Sequence, residues 1–232
     1  MTSTTASPWG RPFAAVLFDM DGTLVDSSAA ITRSWTTWAL ESGIGAEELR
    51  AAHGHGRPAA EIVRQLVGGA GVDGHVDEEA VARASARIDA LEVADVDGVV
   101  QLPGVAALLD VLPPHRWAVV TSCGSALAAA RMRAGALPVP GALVTFDDVE
   151  RGKPDPACFL LGARRLGVDP ADCLVVEDAP AGLAAARAAG CATLAVRTTH
   201  PTGPLDADVV VDRLSGVRAT VDERGVHVTL GA

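Results

Sequence analysis

Residues 13–26 read FAAVLFDMDGTLVD, and the fold follows from the way this stretch changes character at Asp19. From Ala14 to Phe18 the chain is apolar without alternation; a carboxylate then ends the run, and Asp21 follows two residues later on a turn that contains Gly22. A strand in a parallel sheet is covered by helices on both faces, so its residues are continuously apolar. The polar residue that stops such a run lies at the strand's carboxyl end, the edge of an open α/β sheet where ligands bind. Two other runs stop the same way: WAVVTS (117–122) at Thr121 and Ser122, and CLVVED (173–178) at Glu177 and Asp178. ATLAVRT (192–198) and ADVVVD (207–212) are further strand candidates. Between them lie helix patterns, one opened by Pro156 and closed by Gly167, another opened by Pro180 and closed by Gly190. The alternation predicts an α/β protein with a Rossmann-like parallel-sheet core.

One region breaks the alternation. Residues 27–97 contain no convincing strand but carry helical stripes: Ile31, Trp35 and Trp38; Ile62, Val63 and Leu66; Val81, Ile88 and Leu91. The expected division is therefore a core of residues 1–26 and 98–232 with an inserted α-helical cap of residues 27–97. Its hinges are expected after Val25 and within VDGVVQLPG (96–104), where Gly98, Pro103 and Gly104 interrupt helix propensity. Trp35 and Trp38 read as packing residues of the cap. The tail, residues 217–230, reads as a terminal hairpin turning at Glu223 to Gly225.

Composition narrows the classes of function. The 232 residues carry 19 Lys plus Arg against 29 Asp plus Glu, a net charge of -10 that repels a nucleic-acid backbone. No stretch approaches the roughly 20 apolar residues needed to cross a bilayer, so neither nucleic acid nor membrane is an expected partner. Cys123, Cys158, Cys173 and Cys191 show no metal-type spacing, and the N-terminus lacks a long apolar secretory region. Reduced thiols in the cytoplasm are the expectation. Cys123 reads as a small buried residue rather than a reactive thiol. Lys153 is the single lysine; the other 18 basic residues are arginines.

Three strand ends thus bring Asp19, Asp21, Glu177 and Asp178 toward the hydroxyls of Thr121 and Ser122. So much negative charge in one place requires a cation. Hard oxygen donors without His or Cys favour Mg²⁺, which takes one or two carboxylates together with a substrate phosphate. Each acid alone reads as a turn or cap residue; the joint pattern reads as a metal-dependent phosphoryl site.

FDMDGTLVDS, VVTSC, RGKPDP and VVEDAPAG, in this order on this scaffold, resemble the four motifs of the haloacid dehalogenase superfamily, and the resemblance runs over nearly the whole chain. It implies that Asp19 is the nucleophile and Asp21 the general acid and base. It implies that Thr121 and Lys153 anchor the phosphate, with Gly22 and Ser122 beside it. Asp19, Asp178 and the backbone carbonyl of Asp21 become the metal ligands, with Glu177 a further ligand or a partner behind them. Dehalogenases of this fold lack the second aspartate, so Asp21 argues against that branch, and a cap without lysine argues against Schiff-base phosphonatases. β-Phosphoglucomutase shares the aspartate pair, but the position of its cap histidine falls on Ile31 here. HGHGRPAAEIV (53–63) is similar to the cap of sugar and polyol phosphatases, with Arg57 at the position that contacts the distal part of the substrate; His53 and His55 read as loop or substrate-edge residues. The expected enzyme is a Mg²⁺-dependent phosphatase acting on a small phosphorylated metabolite through an aspartyl-phosphate. A sugar phosphate mutase and a non-catalytic sugar phosphate sensor are the alternatives. Oligomeric state is left open.

Overall fold

The computed structural model describes residues 9–52, 59–68 and 76–231. In chain order the elements are β1 (Ala15–Phe18), β2 (Val25–Asp26), α1 (Ser28–Ser42), α2 (Ala46–Ala52), α3 (Ala59–Val67), α4 (Glu78–Ala94) and β3 (Val100–Gln101). There follow α5 (Val105–Leu109), β4 (Trp117–Val120), α6 (Ser125–Ala134), β5 (Ala142–Val144), α7 (Ala157–Leu166), β6 (Cys173–Glu177), α8 (Pro180–Ala188), β7 (Ala192–Val196), β8 (Val209–Val211), β9 (Val217–Asp222) and β10 (Gly225–Leu230).

Six strands form one sheet in the order β5-β4-β1-β6-β7-β8, and every pairing is parallel. All residues of β1, β4 and β6 are buried, as continuous apolar runs require. Successive side chains of a strand point to opposite faces. Val16 and Phe18 of β1, with Trp117 and Val119 of β4, therefore join Leu108 of α5 and the hairpin residues Val217 and Val228. Leu17, Ala118 and Val175 join Phe159 and Ala163 of α7 and Ala185 of α8 on the other face. Each large side chain buried in these layers contributes about 1.5–3 kcal/mol of transfer free energy.

The hairpin β9–β10 is antiparallel, with Gly225 opposite Asp222, and it docks through the reciprocal bonds Phe13 N to Val226 O (2.8 Å) and Val226 N to Phe13 O (2.7 Å). Helix α7 runs from the N-cap Pro156 to a left-handed C-cap at Gly167, whereas α8 begins at Pro180 and stops at Ala188, two residues short of Gly190.

The four helices α1 to α4 leave the sheet region after β2 and return at β3, and these two short strands pair antiparallel as a neck. They enclose their own apolar cluster: Trp35, Trp38, Ile62, Val63, Val81 and Ile88. Trp35 and Trp38 meet edge to face at 5.4 Å, and the Trp38 Nε1–H, which needs an acceptor once buried, donates to Ala84 O at 2.9 Å. Gly98 and Gly104 both adopt positive φ, +75° and +97°, and a Cβ at Gly104 would collide with the Ser215 backbone.

Candidate active site

Because β4, β1 and β6 are neighbours in the sheet, their carboxyl ends open onto one spot. Lys153 fills it. Its ammonium has three N–H donors, and each finds an acceptor on a different strand end: Asp19 Oδ1 at 2.6 Å after β1, Glu177 Oε1 at 2.9 Å on β6, and Val120 O at 3.1 Å on β4. The side chain is 1% exposed and lies over the Phe159 ring at 5.2 Å. Burial works against its charge, but Asp19 and Glu177 outweigh it and push the ammonium above its ordinary value, so it stays protonated.

Glu177 is fully buried, and its second oxygen accepts the backbone N–H groups of Asp178 (2.7 Å) and Ala179 (2.6 Å). This carboxylate lies so close beneath α8 that a Cβ at Gly182 would overlap it. Asp178 accepts from Thr23 Oγ1 at 3.2 Å and from the Thr199 hydroxyl, while His200 Nδ1 lies 3.1 Å from its carbonyl. Gly22, at φ +86°, leaves the space that the Asp178 carboxylate and the Thr199 methyl occupy.

Carboxylate oxygens of Asp19, Glu177 and Asp178 all lie within 4.8 Å of one another. Burial, opposed by Lys153 and reinforced by Glu177, lifts the Asp19 carboxyl to about 7. Burial followed by the charges of Glu177 and Asp19 lifts Asp178 well above the usual carboxylate range. One ammonium does not balance three acids, and the donor set is all hard oxygen, so a divalent cation such as Mg²⁺ fits the electrostatics. The Glu177 oxygens hold an ammonium and two backbone N–H groups, whereas those of Asp178 meet only the Thr23 and Thr199 hydroxyls, which can turn away, so Asp19 and Asp178 are the better candidate carboxylate ligands and Glu177 the group behind them.

Asp21 stands apart from this cluster. Ser27 Oγ donates to its Oδ1 at 2.6 Å; its Oδ2 accepts from the Cys123 thiol at 3.1 Å and pairs with Arg131 at 2.9 Å. Arg131 continues to Glu92 of α4, also at 2.9 Å. Thr121 is buried just past β4, its Oγ1 accepting from Cys123 N at 3.2 Å, and Ser122 lines the adjacent cavity. Cys123 is not the small buried residue expected: it is half-buried and faces the cavity, and burial together with Asp21 pushes its thiol far up, away from reactivity. Trp35 also differs from a purely packing role, since it lines the same cavity along with Ile31. Arg57, His53 and His55 lie outside the described residues.

The cavity measures about 290 Å³, with Asp19, Asp21 and Thr121 on the sheet side and Ile31, Asp89 and Glu92 on the helical side. Ligand pockets span roughly 300–1,000 Å³, so this one suits a small metabolite. The sequence pointed to most of the sheet side; it missed Thr23, Ser27, Arg131, Thr199 and Glu92. Thr23 and Ser27 both lie inside the quoted motif FDMDGTLVDS, whereas Arg131 and Glu92 come from helices with no local signature.

Residues 13–190 match the haloacid dehalogenase-like hydrolase family. The chain is 40% identical to hexitol phosphatase A of Escherichia coli over 212 residues, which covers 90% of this chain and 95% of that one. It is 34% identical to validoxylamine A 7'-phosphate phosphatase of Streptomyces hygroscopicus subsp. limoneus over 89% of this chain and 96% of the relative. Among solved structures, a hydrolase from Pseudomonas syringae superposes with a TM-score of 0.76 at 26% identity, covering 87% of this chain and 94% of that one. On this evidence the chain belongs to the haloacid dehalogenase-like hydrolase family.

Proposed function

We propose that this phosphoric monoester hydrolase cleaves a sugar or polyol monophosphate with the aid of Mg²⁺, through an aspartyl-phosphate on Asp19. The observation that carries the reading is Lys153, its three donors fixed on three strand ends, set beside the Glu177 and Asp178 carboxylates and bonded to Asp19, which lines a small cavity.

In the first half, an Asp19 carboxylate oxygen attacks phosphorus, the bond from phosphorus to the ester oxygen breaks, and Asp21 gives its proton to the departing alkoxide. In the second, Asp21 takes a proton from the water that splits the acyl phosphate, releasing inorganic phosphate and regenerating Asp19. The Thr121 and Ser122 hydroxyls and the backbone beside Gly22 hold phosphate oxygens, fixed donors that cost no reorganisation as charge shifts, and Lys153 anchors the same group by exchanging one of its three bonds for a phosphate oxygen. Asp19, Asp178 and the Asp21 carbonyl would hold Mg²⁺, which would supply the charge that lets an anion approach a phosphate dianion.

Residues 1–26 and 98–232 serve in this reading as the catalytic core and residues 27–97 as its cap. On the cap side, Asp89 offers a carboxylate that accepts hydrogen bonds from hydroxyl groups and repels a second phosphate, which supports a polyhydroxyl monophosphate. The names of the two phosphatase relatives point the same way. Ile31 faces the cavity at the position of the mutase histidine and offers no proton acceptor, which favours hydrolysis over phosphoryl transfer between sugars. A pure sensor has no use for a proton donor such as Asp21. No helix among the described residues is long and apolar enough to cross a membrane, and the four cysteines are free, which fits the cytoplasm.

The test is phosphate release from hexitol, glycerol and hexose monophosphates with Mg²⁺ and with EDTA. Metal-dependent release supports the reading; interconversion of hexose phosphates without release favours the mutase, and binding without turnover favours the sensor.

A further inference from the structure

Two buried charges take no part in that chemistry. Arg131 of α6 is 3% exposed and Glu92 of α4 is 5% exposed. A buried charge survives only with close partners, and those of Arg131 are specific. Its Nη1 meets Asp21 Oδ2 at 2.9 Å and Cys123 Sγ at 3.1 Å, and its Nη2 meets Glu92 Oε1 at 2.9 Å. Its buried Nε has no hydrogen-bond partner among the described residues. The guanidinium is therefore oriented by its two terminal nitrogens, at the expense of the third.

The acceptors lie on different parts of the chain. Asp21 belongs to the turn after β1, Glu92 to the helical segment, and α4 packs directly on α6. A guanidinium is a rigid planar fork, so fixing one arm fixes the direction of the other. Burial works against the charges of both Arg131 and Glu92, but Asp21 and Glu92 together keep the guanidinium protonated.

We infer that Arg131, steadied by Glu92, is the positioning residue of Asp21: it sets the direction in which that carboxyl faces the departing ester oxygen. This rests on the reading of Asp21 as the proton donor. Ser27 holds one Asp21 oxygen; Arg131 and the weakly donating Cys123 thiol hold the other, and of these two only the guanidinium brings a charge and a fixed direction. A misplacement of about 1 Å at a reacting group costs as much as 10²-fold in rate.

The experiment uses the full chain with Mg²⁺ and a series of para-substituted phenyl phosphates of similar shape and graded leaving-group acidity. The quantity read is kcat/KM, which reports steps up to release of the phenol and so isolates proton donation from the later hydrolysis. Arg131→Met combined with Glu92→Met removes both buried charges together, a change that proteins tolerate far better than removal of one partner. Expected is a loss of about tenfold to 10²-fold for phenyl phosphate, the scale of a misplaced reacting group and at most the low end of what a general acid contributes, and little loss for 4-nitrophenyl phosphate, whose phenolate leaves unaided. The dependence on leaving-group acidity becomes steeper, as it does in Asp21→Asn. Glu92→Gln, which leaves Arg131 its contact with Asp21, steepens it less and serves if the double variant does not fold; Arg131→Lys restores part of the wild-type slope. Equal loss across the series, or an unchanged slope, overturns the assignment and leaves Arg131 a structural ion pair or a substrate contact. A wild-type protein that hydrolyses none of the series overturns the phosphatase reading, and this inference with it.

Discussion

Beneath the cavity, Lys153 is held by acids 134 and 24 residues away in sequence, and every charge in the group is buried. Above it, α1 to α4 surround Trp38 and Ile88, while Arg64–Glu78 and Arg87–Glu41 pair at the surface with side chains about half exposed. The sheet side has its charges inside and fixed; the helical side, Glu92 apart, has apolar groups inside and these ion pairs in water, where each contributes about 0–1 kcal/mol. Chemistry on phosphate needs preorganised charge, whereas shape and enclosure need only packing. Substitutions on the two sides should therefore fail in different ways, the first in turnover and the second in stability.

Asp19→Asn gives the largest effect that separates them. Side-chain volume is kept while the attacking oxygen is lost, so turnover should fall by roughly 10⁴ or more with an unchanged circular dichroism spectrum. A folded variant of full activity breaks the contrast at its centre. Lys153→Arg comes next. Three acceptors converge on a point, and a wider fork cannot meet all of them within a fully packed site; kcat should drop by about 10²–10³-fold, the scale of a lost preorganised donor. Wild-type kinetics in this variant would remove the argument from geometry.

Trp38→Ala probes the other side. Loss of a fully buried tryptophan should lower stability by about 3–5 kcal/mol, measured by denaturant titration, while a small aryl phosphate is still hydrolysed by whatever fraction remains folded. A loss of turnover without a loss of stability would mean that the helical segment takes part in the chemistry. The smallest effect belongs to a charge near the surface. Asp148 is held down to about 2, chiefly by its hydrogen bond from Arg165 and then by the Thr145 backbone. A depressed acid stabilises the fold above its unfolded value of 3.8 and loses that contribution as pH falls through about 2. Asp148→Asn should thus melt slightly below wild type at pH 6, with the gap closing by pH 2; a gap that widens in acid contradicts the sign.

The sheet side was legible because its signals are local. A run such as AAVLFD is apolar on every residue and stops at an acid, and Lys153 stands out as the one lysine of the chain. The hairpin announced itself by its turn. Arg131 gave no such sign: SALAAARMRA contains two arginines, and only the packing of α4, whose Glu92 lies 39 residues away, makes one of them buried. Asp21 illustrates the same limit, since its sequence neighbours are acids while the group that meets it in space is a guanidinium. Thr199 and His200 follow β7 as ordinary loop residues, and nothing before folding ties them to Asp178. Trp35 read as packing because a helical stripe does not say which of its members also borders a cavity.

Gly182 carries a last consequence. It takes no part in any step, yet it is the one residue of α8 over the Glu177 carboxylate where a single methyl group has no place to go. A saturation survey scored by phosphate release should rank this silent position among the acids themselves. Tolerance to substitution here measures how closely a helix may lie on a charge, not who touches the substrate.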